Sequence, residues 1–487
     1  MNHSSAKVVT RAEIATALRQ LGLGAGDIVL LHSALSSIGA VEDGAAGLVG
    51  AFLDVLGPQG TLVVPTFGAL GVVTDTVKTW PNAVSSVHPA ASVAAVGAAA
   101  RELCAEHWKA ELAHGPDTPY TRIADKGGYV CLLGVDQDRN TTLHTVEELL
   151  RLPYLKTTAE KTFDTPEGKV TKSWPFFPGP HRDFIGVDRA LRERGLMTMG
   201  RIGDAVVRLV RSRDLIERVQ AMVEQDPALF LCDNPACDDC VLQRADLRRH
   251  QLKRESFQAA VSASLAGRYA QEIADVVWRA GFAAVELDSI EGRPVSTAPR
   301  GKVTDAAAVL RKAGLAITAL RLPAAVDDIR PMADLARECG VSRLIIPLSS
   351  QAAAHVRTAS EAQVNVSFVN LGVSSQLASR LLVELRDTGL TPCVTFNAAN
   401  FARAGEKPFL SSYKQKLRRF VDQLDIEDAT FAGCPTDLAR GNAEIKEMMS
   451  ILRCANFPGV FCLTGANRAV SNLTTVAARF MTLLREM

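Results

Sequence analysis

Net charge is almost absent from this sequence. Fifty-four Lys and Arg stand against 53 Asp and Glu over 487 residues, leaving +1. That balance argues against a nucleic acid or an anionic membrane surface as partner. No apolar run approaches the length of a membrane span, and residues 1–7 do not read as a signal peptide. Internal repeats and low-complexity segments are missing, which excludes solenoid and fibrous designs. The ten cysteines follow no disulfide-framework spacing, and several, such as Cys131 and Cys462, lie in apolar, strand-like runs. Core thiols in a reducing cytoplasm are the expectation. What is there is a globular composition, 47% hydrophobic and 22% charged, too long for one ordinary domain.

The first half alternates helix and strand signals. Residues 10–21 form an amphipathic pattern that the glycines of Leu23-Gly-Ala-Gly26 end. Asp27-Ile-Val-Leu-Leu-His32 is a continuous apolar run, as in a strand buried on both faces. A small-residue loop at 33–39, a helix from Asp43-Gly44 to Leu56 and a strand at 61–65 follow. Strand, loop, helix is an arrangement that offers free backbone N–H groups to phosphate, although Glu42 and Asp43 oppose an anion there.

Chemistry concentrates further on. Gly127-Gly-Tyr-Val-Cys-Leu-Leu-Gly-Val135 reads as a buried strand ending in a turn, and Asn140-Thr-Thr-Leu-His-Thr-Val-Glu-Glu148 opens the next helix. His144 and Glu147, three residues apart, share a helix face. A carboxylate beside an imidazole fixes its tautomer and stabilises the imidazolium, so the pair could take a proton from an amine or hydroxyl. The plain alternative is a satisfied helix-start histidine, with Thr145-x-x-Glu148 as a capping box.

Taken in order, His32-Ser-Ala-Leu-Ser-Ser-Ile-Gly39, Leu56-Gly-Pro-Gln-Gly-Thr-Leu-Val-Val-Pro-Thr-Phe67, Ser86-Val-His-Pro89 with Ser92, Leu132-Leu-Gly-Val135 and Thr141-Thr-Leu-His-Thr-Val-Glu147 resemble the aminoglycoside 3-N-acetyltransferase family. Gly200-Arg-Ile-Gly-Asp-Ala205 and Cys237-x-x-Cys240 also fit it, and the resemblance covers roughly residues 8 to 245. It implies direct acyl transfer from acetyl-CoA to a small-molecule amine. His144 matches the family's catalytic base, Glu147 its orienting carboxylate, and Thr66 a strand-end hydroxyl suited to the developing oxyanion. His32, Ser33, Leu35, Ser36, Ser37 and Ile38 match the segment along CoA, with His88 and Ser92 beside it. His88 reads equally as a structural histidine fixed by Pro89. Ser85 stands where the family usually has arginine. The stretch 67–75 is poor in the carboxylates that a polycationic aminoglycoside favours, so another amine is an open alternative. Asp75, Asp183 and Glu148 are the remaining candidate ammonium partners, or else solvated surface charges.

At the junction, Cys232, Cys237 and Cys240 with His250 suit a tetrahedral structural zinc, the alternative being a turn with free thiols. The basic stretch 244–254 reads as a helix-prone linker. Eight short β-rich runs then recur at 257–262, 284–287, 316–320, 343–347, 364–369, 392–397, 429–433 and 460–464, with helical patterns between them. That spacing predicts a (β/α)8 TIM barrel. Gly281-Phe-Ala-Ala-Val-Glu-Leu287 and Ala402-Arg-Ala-Gly-Glu-Lys-Pro408 make it similar to the sugar-phosphate isomerase/epimerase family of xylose-isomerase-like barrels. Asn370, Asn397, Asn400 and Thr464 stand where that family has acidic or histidine metal ligands. Neutral side chains hold a hard dication poorly, so the metal site is read as degenerate. Glu286, Asn370, Asn397 and Asn400 remain as groups able to bind a polyol.

The expected fold class is therefore α/β, with an N-terminal antibiotic N-acetyltransferase-like domain over 1–245 and a C-terminal TIM barrel over 255–487. The expected activity is acetyl-CoA-dependent N-acetylation of an aminoglycoside or another amino-bearing metabolite. A sugar isomerase-type or sugar-binding barrel and a non-enzymatic assembly protein are the rivals. The sequence is compatible with a homo-oligomer but does not set the oligomeric state.

Overall fold

The computed structural model describes residues 8–179, 181–464 and 472–487. The signal-peptide reading of residues 1–7 lies outside them. The chain divides into two compact units, Met1–Arg244 and Ala245–Met487. The division falls within a helix, Asp238–Leu252, so the helix-prone stretch is helical for most of its length.

In the first unit, helix α1 (Arg11–Gln20) starts at a capping box. The Thr10 hydroxyl accepts from Glu13 N (3.1 Å) and Glu13 Oε2 accepts from Thr10 N (2.8 Å). Strand β1 (Ile28–Ser33), helix α2 (Gly44–Leu56) and strand β2 (Thr61–Pro65) follow as the pattern predicts. With β3 (Val84–Ser85), β4 (Val93–Gly97), β5 (Tyr129–Leu133), β6 (Met197–Ile202) and β7 (Ala205–Arg211) they build a seven-stranded mixed sheet, in the order β6-β7-β5-β1-β2-β4-β3. The parallel centre is β5-β1-β2, and the outer strands are antiparallel. Strand β1 is central and covered on both faces. Val29 and Leu31 enter one apolar cluster with α1 and α2, while Ile28 and Leu30 enter another with Val63, Val93 and Tyr120. A strand so placed cannot alternate polar with apolar, which is why its sequence is a continuous run.

Sheet order places the C-terminal ends of β1, β2 and β5 side by side. Loop 33–39 leaves β1 there, Thr66 follows β2, and the turn into helix α3 (Leu143–Leu149) follows β5. Gly134 closes this edge. It has φ +66, and a Cβ there would overlap the Ser37 hydroxyl, so only glycine lets β5 lie against the loop.

The second unit is a closed barrel of eight strands, β8 (Gln258–Ser262), β9 (Ala284–Leu287), β10 (Ala316–Arg321), β11 (Arg343–Pro347), β12 (Asn365–Val369), β13 (Cys393–Asn397), β14 (Val421–Ile426) and β15 (Val460–Leu463), all paired in parallel. One large apolar cluster gathers residues of the strands and of the intervening helices. One expectation is corrected. The seventh strand is Val421–Ile426 rather than 429–433, where Asp428–Ala429 only pairs with Pro435–Thr436 in a two-residue ribbon. Asp422, Gln423 and Asp425 hide the strand from a hydrophobicity reading. Leu424 and Ile426 join the apolar cluster, and Gln423 and Asp425 meet the guanidinium groups of Arg343 and Arg321.

Candidate active site

His144 and Glu147 meet as their helical spacing requires. On α3 the His144 Nδ1 lies 2.6 Å from Glu147 Oε2. The other Glu147 oxygen accepts from Tyr154 Oη (2.8 Å) and from Arg182 Nε (2.8 Å). Glu147 is wholly buried, and three donors keep it charged. Burial alone would raise its pKa, but the hydrogen bond from His144 and the charge of Arg182 lower it below the ordinary carboxylate value. His144 shifts downward as well. Burial outweighs the raising effect of Glu147, so the imidazole is neutral at neutral pH.

The capping-box alternative is not what forms. Thr145 is inside the helix, Thr142 is the N-cap without a side-chain bond, and Thr142 N donates to Asn140 Oδ1 (3.2 Å). Glu148 faces His114, accepting from its backbone N (2.7 Å) and pairing with its Nδ1 (2.9 Å). Glu148 is therefore neither a cap nor a free ammonium partner.

Rings from an arm that follows the exposed hairpin Lys161–Thr165/Gly168–Lys172 enclose the imidazole. Phe177 stacks on His144 with centroids 3.9 Å apart and planes 7° from parallel, and Phe184 meets it edge-on at 5.1 Å. The Arg182 guanidinium lies 4.7 Å from the Phe177 ring centroid. Sequence reasoning missed Tyr154, Phe177, Arg182 and Phe184. The signal was Trp174-Pro-Phe-Phe177 followed by His181-Arg-Asp-Phe184, an aromatic cluster in a chain with only 6% aromatics.

His144 lines a cavity of about 630 Å³ together with His32, Ser33, Phe67, Thr74 and Arg139. With Nδ1 tied to Glu147, Nε2 is the ring nitrogen left for a ligand there. His32 is buried at the end of β1 with no partner for its Nε2, and burial pushes its pKa down to about 4. The other expected residues divide. Ser36 is exposed, Leu35 is half-buried against the core, the Ser37 hydroxyl donates to Ala34 O (2.6 Å), and Ile38 is part of the core. Thr66 is at the end of β2, where its hydroxyl donates to Ser92 Oγ (2.9 Å). To serve an oxyanion it must redirect that hydrogen. His88 is elsewhere, stacked on His107 at 4.6 Å and packed on Trp174 at 4.5 Å. Burial, with the neighbouring histidines, drives its pKa to about 2, so the structural alternative for His88 is the one its surroundings favour. Asp75 and Asp183 do not line the cavity; its carboxylate is Asp138, paired with Arg139 at 3.3 Å.

Cys232, Cys237 and Cys240 converge, but the fourth group is His181 rather than His250. The four ligand atoms lie within 4.8 Å of one another, while His250 is exposed in the last turn of the helix. His181 is 51 residues upstream of Cys232 by sequence number (232 − 181), too far for a spacing motif to include it.

In the barrel, the side chains expected to bind a polyol are engaged by protein groups, Asn400 Oδ1 by Arg403 (2.9 Å). Glu286 Oε1 pairs with Arg321 Nε (2.8 Å) and its Oε2 accepts from Gln423 (2.7 Å). Arg321 also grips Asp425 at 2.8 and 2.9 Å. Asn397 donates to Asp425 (3.0 Å), Asn370 bonds the Asn397 backbone twice (2.9 Å each), and Asn400 N donates to Asn397 Oδ1 (2.9 Å). Thr464 donates to Glu427.

Among known proteins, the Aminoglycoside 3-N-acetyltransferase family matches residues 30–70 and 68–224. Aminoglycoside N(3)-acetyltransferase IV of Salmonella sp is 34% identical over 239 residues, 45% of this chain and 90% of that protein. Aminoglycoside N(3)-acetyltransferase VII of Streptomyces paromomycinus is 30% identical over 268 residues, 45% of this chain and 92% of that protein. The crystal structure of aminoglycoside acetyltransferase AAC(3)-IVa as apoenzyme aligns at 31% identity with a TM-score of 0.46, covering 50% of this chain and 100% of that one. Among the described residues, no helix is long and apolar enough to cross a membrane.

Proposed function

Because this chain belongs to the aminoglycoside 3-N-acetyltransferase family and is an acyltransferase, we propose that its first unit moves an acetyl group from acetyl-CoA to an amine of an aminoglycoside or another amino-bearing small metabolite. The observation that carries this reading is the His144 imidazole, held by the buried Glu147 at 2.6 Å and bordering a 630 Å³ cavity. An aliphatic amine at neutral pH is mostly an ammonium and has no lone pair to attack with. The ammonium first gives one proton to solvent; as the neutral amine attacks, His144 Nε2 accepts its second proton while the N–C bond forms, Glu147 stabilises the imidazolium, and the C–S bond breaks. The departing CoA thiolate then takes the proton, and His144 returns to neutral. Thr66, turned away from Ser92, is the candidate donor to the thioester oxygen.

His32 and Ser33 border the cavity, and the rest of the 33–39 loop continues from them, so CoA is assigned to that side. Domain limits of 1–245 for the acyltransferase and 255–487 for a barrel without a divalent-metal site go with this reading, as do a structural zinc on the cysteine cluster and a cytoplasmic setting for cysteines outside any disulfide. The test is a thiol-release assay with acetyl-CoA and longer acyl-CoAs against aminoglycosides and a wider amine set. Acetyl-CoA turnover with at least one amine is expected. Acetyl-CoA binding with no amine-dependent thiol release across the whole set would sink the reading.

A further inference from the structure

We propose that His181, Cys232, Cys237 and Cys240 form a tetrahedral zinc site that fixes the arm carrying Phe177, Arg182 and Phe184 against the His144–Glu147 pair. His181 Nδ1 lies 3.2 Å from Cys240 Sγ and 3.5 Å from Cys237 Sγ, and all four ligand atoms are within 4.8 Å of each other. Around a zinc with Zn–S near 2.3 Å and Zn–N near 2.05 Å, ligand atoms stand about 3.5–3.8 Å apart, so little movement is needed. Cys232 N also donates to Cys240 Sγ (3.3 Å), one contact that counters the burial pushing this thiol up to about 12. Three sulfurs and one imidazole suit zinc above hard cations.

The site joins two distant segments. Cys232, Cys237 and Cys240 precede or open helix Asp238–Leu252, and His181 belongs to the arm. Close packing accompanies the join. Gly179 has φ +71, and a Cβ there would overlap the Asp239 carboxylate. Arg182 is one peptide link from the ligand. It gives Nε to Glu147 Oε1 (2.8 Å), and one of its terminal nitrogens donates to His181 O (2.6 Å). Among the described residues between Pro175–Phe176 and helix Gly186–Glu193 there is no helix or strand. An irregular segment loses much conformational entropy when fixed, and a metal tie offsets that loss. Zinc here is structural and acts on the reaction by positioning; this second part rests on the proposed acetyltransferase mechanism.

Elemental analysis of the full chain should find one zinc per chain, absent from a Cys237→Ser, Cys240→Ser variant. The cobalt-exchanged protein should absorb as a tetrahedral cobalt–thiolate, with a spectrum altered in His181→Gln. Stripping the wild-type protein with a chelator should lower kcat on the order of 10²-fold, as a displaced orienting group does, and shift the pH at which kcat/KM rises. Added zinc should restore both. If the double variant does not fold, the stripped and reloaded wild-type protein gives the same answer. A chain that holds no zinc and takes none up overturns the site. Zinc that can be removed without moving kcat or the pH profile overturns the positioning role. A fully active His144→Ala variant would instead overturn the catalytic reading and leave the zinc count untouched.

Discussion

Two buried carboxylates organise the two halves of this molecule, and they do opposite things. Glu147 receives His144, Tyr154 and Arg182, and Glu286 receives Arg321 and Gln423. Both are fully buried and both are ion-paired, although Glu286 Oε1 and Arg321 Nε stand 2.8 Å apart without hydrogen-bond alignment. The difference lies one bond further out. His144 has a second ring nitrogen and lines the 630 Å³ cavity, whereas the donors of Arg321 that reach carboxylates return to Glu286 and Asp425. Arg321 does border a smaller cavity of about 330 Å³ beside Asp288, but as a cation already gripped by two anions. Buried charge marks a functional group only where one member of the network keeps a valence for a ligand. Where the charges pair only with one another, the network specifies the interior of the barrel.

The largest effect is expected at His144. His144→Ala should cut kcat by about 10²–10⁴, the usual worth of a positioned general base, while calorimetric acetyl-CoA affinity stays near wild type. Near wild-type kcat in a folded variant would put the base elsewhere. Glu147→Gln keeps the shape and should cost less than His144→Ala in the same kinetic assay.

Next comes Arg321→Met. It leaves Glu286 and Asp425 buried without their cation, and should destabilise the barrel by about 3–5 kcal/mol in denaturant unfolding. The proposed chemistry does not involve Arg321, so acetyl transfer should persist while the chain is folded. A barrel transition that does not move would show that the network contributes little.

The smallest effects come from pH. The kcat/KM profile should rise through the His144 pKa, which lies below the ordinary histidine value of 6.5. Activity therefore holds as pH falls through the usual histidine range and is lost only further down. That inflection should vanish in His144→Ala if no substrate amine titrates there.

Stability responds over a related window. His32, His88 and His107 stay neutral in the folded chain, with pKa values pushed by burial to about 4, 2 and 3. Once unfolded they take up protons near 6.5. Below that pH the unfolded state binds more protons, and each such histidine removes about 1.4 kcal/mol of stability per pH unit until its folded pKa is reached. Unfolding midpoints should therefore fall steadily from pH 6.5 to 4. Variants with His88→Asn should show a shallower slope.

How much was legible follows from the range over which each signal acts. The His144–Glu147 contact is a three-residue helical spacing, the buried centre of the first sheet is a continuous apolar run, and seven of the eight barrel strands are apolar runs at even intervals. All of these are written locally and could be read. Arg182 reaches Glu147 across 35 residues, Arg321 reaches Asp425 across 104, and His181 reaches Cys240 across 59. No local spacing encodes such meetings. The Val421–Ile426 strand was misplaced for the same reason, since its charges look like surface until Arg321 and Arg343 are brought to face them. The sequence by itself determined most of the elements, the two α/β halves and the His144–Glu147 contact, because backbone periodicity and helical spacing act between neighbours. Only the tertiary structure decided which charges are neutralised, which histidine joins the cysteines and which imidazole nitrogen opens onto a cavity, because those depend on desolvation and on partners that the chain supplies only after it has closed on itself.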